Sequence, residues 1–249
     1  MAKNSSAKPR PNAAASSPLF YSKPVALDRQ KHRGLKTGAA TPDFGFARNT
    51  HFIPALIDEF SPASRSLPIV FLPGAEGPTA VFMVGLTAGR NVFVDAEGKW
   101  TGNYVPAYLR RYPFILGEAE GQDPIMMIEE GNALLSETEG EPLFTEAGEG
   151  TESLTQAIAF ANEYYAAGKR TEAFMKILQE LELLTPVTIE SRLPGQDGQQ
   201  IHGLLSIDEN KLYTMPEADF LNLRKERLLG PIFAHFFSLS QIENLRLPA

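Results

Sequence analysis

The chain has 249 residues, 43% of them hydrophobic and 21% charged, which suits a soluble globular protein with a sizeable core. A net charge of −7 argues against attraction of the whole body to nucleic acid or an anionic membrane, so no nucleic-acid partner is expected. The absence of cysteine excludes disulfide frameworks, thiol nucleophiles, iron–sulfur clusters and zinc knuckles, and no apolar stretch approaches the roughly 18–20 residues of a membrane-spanning helix.

Charge is distributed unevenly. Residues 1–36 carry eight basic side chains against Asp28, a net +7, and the rest of the chain therefore carries −14. The first twenty residues are rich in Ser, Ala and Pro and almost free of large apolar groups. A segment of that composition cannot bury enough surface to offset its ordering entropy, so residues 1–36 read as a disordered basic tail. It has no apolar h-region and is not a secretory signal peptide, which implies a cytoplasmic location unless a dedicated system exports the chain. A single folded domain is expected over 40–247.

Ala55, Leu56, Glu59 and Phe60 have helical spacing after Pro54, with Pro62 as the expected stop. Strands follow at 68–72, 80–86 and 91–95. All are β-branched or aromatic and bounded by Gly or Pro, and their continuous apolar character implies cover on both faces. Pro73–Pro78 is the nearest approach to a phosphate loop. It carries Glu76, lacks the Lys-Ser/Thr pair and precedes no helix, so it reads as a tight turn between strands. A short helix after Pro106 stops at Pro113, and strands follow at 114–119 and 124–129.

From Tyr112 to Gly168 there are twelve acidic residues and no Lys or Arg. Its middle, residues 136–152, reads as a long, solvated acidic loop and lacks the residue order of a helix–loop–helix calcium site. Leu154, Ile158, Ala161 and Tyr165 share one helical face and Phe174, Ile177, Leu178 and Leu181 another, giving one helix or a pair broken near Gly168. A hairpin follows, 187–193 with 200–207. Thr214 and Glu217 have capping-box spacing for a helix over 216–229, and Gly230-Pro231 separates it from a last aromatic helix over 232–244. Central strands with a helical C-terminal half make the fold class α+β, built on a mixed sheet.

There is no G-x-S-x-G elbow, Walker loop or H-E-x-x-H motif, and no cofactor is implied. His51 and His202 are dispersed. With Asp95, for instance, they could assemble a two-histidine, one-carboxylate metal site, for which the sequence gives no spacing support. His235, on an aromatic helix face, reads as a hydrogen-bonded core histidine. The richest segment is residues 91–114, which holds the only tryptophan, Trp100, with Tyr104, Tyr108, Tyr112 and the Arg110-Arg111 pair. Guanidinium forks beside aromatic faces suit recognition of a carboxylate, a phosphate or a sugar ring. The candidate ligand-binding set is therefore Trp100, Tyr108, Arg110, Arg111 and Tyr112, with Asp95 fixing the turn that presents it. The competing reading pairs the arginines with the acidic segment and makes the tyrosines core residues with wet tips.

The segments HFIPALIDEF, LPIVFLPG, NVFVDAEGKW followed by YVPAYLRRYPF, LLSETEGEPLF and GPIFAHFFSLSQIENL resemble the SapC family of bacterial proteins over about residues 25–245. The family is named for a surface-layer gene cluster, and its members tend to be encoded beside TonB-dependent outer-membrane receptors in proteobacteria. The resemblance implies a non-enzymatic accessory or binding protein of the cell envelope, with a protein or a small anionic or sugar ligand as partner, and carries over no catalytic residue. A small metal-dependent enzyme is the alternative, and a self-assembling lattice protein a third reading.

Overall fold

A computed structural model describes residues 18–38, 43–117, 123–191 and 199–245. Three antiparallel sheets account for the strands. The largest has five: β3 (Phe52–Pro54), β4 (Ile69–Leu72), β5 (Thr79–Met83), β10 (Leu184–Ser191) and β11 (Gln199–Ile207), in the spatial order β10-β11-β4-β5-β3. A second sheet places β7 (Ile125–Glu129) between β1 (Pro24–Ala26) and β6 (Phe114–Gly117). A third, minimal one places β2 (Lys36–Thr37) between β8 (Leu135–Ser136) and β9 (Glu141–Pro142). The helices are α1 (Phe60–Ala63), α2 (Ala107–Arg110), α3 (Glu152–Glu180), α4 (Glu209–Thr214), α5 (Glu217–Lys225) and α6 (Leu229–Ser238), and the C-terminal half is helical after the β10–β11 hairpin. The architecture is α+β.

The continuous apolar runs of β4 and β5 are explained by cover on both faces. Ile69, Phe71 and Phe82 face the main core, with Phe60 of α1, Phe174 and Leu178 of α3, and Ile232 of α6. Val70, Val81 and Met83 face the other way, under Leu239, Ile242 and Leu245 of a 3-10 turn that continues from α6. The turn from β4 to β5 is the tight one expected: the Gly77 N–H donates to the Gly74 carbonyl at 3.2 Å, and Gly77 has φ of +121°, open to glycine without strain.

Several expectations need correction. Residues 91–95 form a turn, with one bridge between Val94 and Trp100. Asn91 Oδ1 accepts the Phe93 N–H, and Asp95 Oδ1 accepts the N–H groups of Glu97 and Lys99, so these side chains take the donors a strand ladder would use. Pro62 lies inside α1, and Pro231 inside the first turn of α6. Each sits where a helical N–H has no partner to lose. Thr214 caps nothing. It ends α4, its hydroxyl donating to the Asn210 carbonyl, while Pro216 occupies the N-cap of α5. α3 runs unbroken through Gly168, its burial of Leu154, Ala161, Phe174 and Leu178 outweighing the ~1 kcal/mol cost of one interior glycine. Its Thr151 N-cap hydroxyl accepts the Leu154 N–H at 3.4 Å.

The expected basic tail meets the structure only in part, since residues 1–17 lie outside the described residues. Residues 18–36 are ordered. Tyr21 is 2% exposed and its hydroxyl donates to the Phe114 carbonyl at 2.7 Å. The buried Glu129 carboxylate accepts the backbone N–H groups of Ser22 and Lys23 and the Ser22 hydroxyl. Lys23 and Lys31 both pair with Glu130, at 2.5 and 2.6 Å. The acidic segment is more anchored than a loop, because Leu143 and Phe144 pack with Phe114, Ile128 and Leu154 beneath its exposed glutamates.

His235 is the core histidine expected. It is fully buried, with Nδ1–H donating to the Ile69 carbonyl at 2.9 Å and Nε2 accepting the Ile207 N–H and the Ser206 hydroxyl. Desolvation by burial lowers its pKa to about 4. The unfolded imidazole takes its proton near 6.5 and the folded one only near 4. Stability is therefore full above pH 6.5 and falls on acidification, by about 3 kcal/mol across the window. Denaturant melts between pH 6.5 and 5 should show this slope in the native chain and lose it in His235→Asn; an equal slope in both contradicts the assignment.

Candidate binding site around Arg111

α2 is a single turn that starts after Pro106, and its i, i+3, i+4 geometry puts Tyr108, Arg111 and Tyr112 on one side. The guanidinium of Arg111 stands 4.2 Å from the Tyr108 ring centroid, 4.1 Å from that of Tyr164 on α3, and 5.7 Å from that of Tyr21. Its Nε is buried without a hydrogen-bond partner. The Tyr108 hydroxyl donates to the Leu19 carbonyl at 2.8 Å, so the same ring also holds the N-terminal segment. Burial pushes the phenols of Tyr21, Tyr108 and Tyr164 above their ordinary range, with the Arg111 charge opposing, and all three remain neutral hydrogen-bond donors.

Arg110 points elsewhere. Its guanidinium lies 5.1 Å from the Phe160 ring centroid on α3, and its Nε–H donates to the Val105 carbonyl at 3.1 Å. Among the described residues neither arginine has a carboxylate within ion-pair distance. The basic groups that meet the acidic segment are Lys23 and Lys31, at Glu130, and Lys36, at the Thr138 carbonyl.

Between α2, α3 and the Phe44–Phe46 turn lies a cavity of about 430 Å³, lined among others by Phe46, Arg110, Arg111, Tyr112 and Phe160. Phe46 and Tyr112 stack there at 4.1 Å. Beyond Arg110 a second cavity of about 440 Å³ holds Glu59 and Tyr104. Glu59, 4% exposed, accepts from the Ala107 N–H at 2.6 Å, the Tyr104 hydroxyl at 2.9 Å and the Leu56 N–H at 3.2 Å. Burial raises its pKa, and those three hydrogen bonds oppose the shift.

Of the candidate residues, Arg110, Arg111 and Tyr112 line the first cavity, while Tyr108 lies in the core beneath it with its ring against Arg111. Trp100 does not line it either. It is 7% exposed, stacks on Phe93 at 5.3 Å and donates from Nε1 to the Tyr104 carbonyl, because a one-turn α2 leaves it in the core. Asp95 fixes its own turn at a distance from α2 in sequence and presents none of the cluster. The sheet also separates the conceivable metal ligands. His51 precedes β3 and accepts the Gly89 N–H at 3.3 Å, while His202 sits on β11 beside Thr188. β4 and β5 intervene, so at ~4.8 Å per strand the two lie roughly 14 Å apart, too far to share an ion. Among the described residues no three His, Asp or Glu side chains group as a metal would need. Phe46, Phe160, Tyr164 and Glu59 were not foreseen. The i, i+4 spacing of Phe160 and Tyr164 was the available signal.

Because Arg111 is held by rings, its loss should cost stability. Arg111→Leu should destabilise the fold by about 1–2 kcal/mol, and a cycle with Tyr164→Leu should show a coupling of about 1 kcal/mol. Additive losses in denaturant melts would contradict the contact.

Comparison with curated proteins and with solved structures returns no match. A family model matches residues 27–245, which takes in every described element except β1, and its description is SapC. The chain belongs to the SapC family.

Proposed function

We propose that the protein is a non-enzymatic binding protein with an accessory role at the cell envelope, in surface-layer biogenesis or TonB-dependent uptake. Its ligand is a small carboxylate, phosphate or sugar held beside Arg110 and Arg111. The envelope role rests on the family resemblance. The binding role rests on one observation: two arginines border a cavity of about 430 Å³ and are held by rings and a backbone carbonyl, without a carboxylate partner among the described residues. Guanidinium groups beside aromatic faces and without a carboxylate partner suit a planar anion or a pair of hydroxyls. The volume falls in the usual range for small-ligand pockets.

Trp100 reports on the site through Phe44, which lines the cavity and meets the indole at 6.0 Å. A panel of carboxylates, phosphorylated metabolites and monosaccharides should contain compounds that shift the Trp100 emission and raise Tm. Arg110→Ala should keep the fold, since its side chain is exposed, and weaken such binding tenfold or more, the effect of losing one charged hydrogen bond of about 1.5–3 kcal/mol. Binding indifferent to Arg110→Ala, or a panel without effect, contradicts the reading.

A further inference from the structure

The cavity at Tyr112 and the cavity at Glu59 share two lining residues, Arg110 and Phe160. On α3 the first takes Ser153, Gln156, Ala157 and Phe160, and the second continues with Glu163, Ala167 and Arg170. Ser153, Gln156, Phe160, Glu163, Ala167 and Arg170 follow one another at steps of three or four residues, with Ala157 beside Gln156, one stripe along a single helix face. At 1.5 Å per residue the stripe from Ser153 to Arg170 runs roughly 25 Å. The two cavities adjoin along α3, with the Arg110 guanidinium and the Phe160 ring between them, as the two ends of a trough would.

The lining points to the chemistry of an occupant. Three guanidinium groups, Arg110, Arg111 and Arg170, face four carboxyl groups, Asp43, Asp58, Glu59 and Glu163. Such a trough has no net positive field for a polyanion. Arg170 and Asp58 pair with each other and Glu59 is taken by three protein donors, which leaves Arg110, Arg111, Asp43 and Glu163 to meet a ligand, with aromatic rings beside them at Tyr112, Phe160 and Tyr104. The floor is a helix whose backbone hydrogen bonds are already made, so an extended peptide finds no strand edge with which to pair. Polyhydroxyl rings need what is present: forked side-chain partners beside flat apolar faces.

We infer that the trough binds a neutral oligosaccharide several rings long, lying along α3 and crossing Arg110. This rests on the reading of the Arg110–Arg111 cavity as a ligand site and names the ligand class for it. The probe is an array of neutral oligosaccharides of one to six hexose residues, in α and β linkages, followed by calorimetry on the ones retained. Affinity should rise at least tenfold from the monosaccharide to the tetrasaccharide. Gln156→Ala and Glu163→Ala lie in opposite halves and are exposed, so both variants should fold. Each should weaken the tetrasaccharide at least fivefold. Equal affinity for one and four rings, or an effect of only one of the two variants, overturns the trough and leaves a single-cavity site standing. Retention of no neutral oligosaccharide overturns the inference outright, while the small-anion panel decides the cavity independently.

Discussion

A positive charge held by aromatic faces, without a counter-charge, organises this part of the molecule. Arg111 brings together three segments remote in sequence: the N-terminal stretch through Tyr21, α2 through Tyr108 and α3 through Tyr164. A partly buried guanidinium over such rings is worth about 0.5–2 kcal/mol, comparable to a hydrogen bond. Electrostatically it remains unneutralised, and that separates it from a structural ion pair. The surface pairs of the chain, such as Arg170 with Asp58, are exposed on both sides and contribute little.

Buried polar groups fix the surrounding irregular backbone in the same way. Glu59 gathers the N–H groups of Leu56 and Ala107 with the Tyr104 hydroxyl, and so sets where α2 begins. Glu129 gathers Ser22 and Lys23, and so docks the N-terminal segment on β7. His235 joins β4, β11 and α6. Each satisfies backbone groups that a loop would otherwise bury unpaired, at a cost of about 1–3 kcal/mol apiece. Removing one of these side chains therefore exposes the fold to several unmet donors at once.

Much of this was legible in the chain. The apolar runs of β4 and β5, the Gly-Pro turn between them, the β10–β11 hairpin, the core role of His235 and the face shared by Tyr108, Arg111 and Tyr112 follow from period and punctuation. What was not legible depends on contacts distant in sequence. Residues 18–36 have the composition of a tail, and the partners that order them, Tyr108, Phe114, β7 with Glu129, and Glu130, all lie at least seventy positions on. The strand pattern at 91–95 lost to Asn91 and Asp95, whose side chains satisfy the local backbone. Trp100 looks like a binding aromatic by composition, yet lies beneath the site because Phe93 and Phe44 enclose it. Of the three rings around Arg111, Tyr164 comes from α3 and Tyr21 from the N-terminal segment, which no local reading of residues 91–114 contains.

The account turns on the state of the Arg111 guanidinium, and side-chain nitrogen–proton NMR observes that directly. A buried Nε–H among three rings, without an acceptor, predicts a slowly exchanging resonance moved upfield by ring currents in the free protein. Ligand in the cavity should then shift it. A downfield resonance already present in the free protein, the mark of a hydrogen bond to a carboxylate, would contradict the account, because Arg111 would then be a structural ion pair with nothing left to offer a ligand.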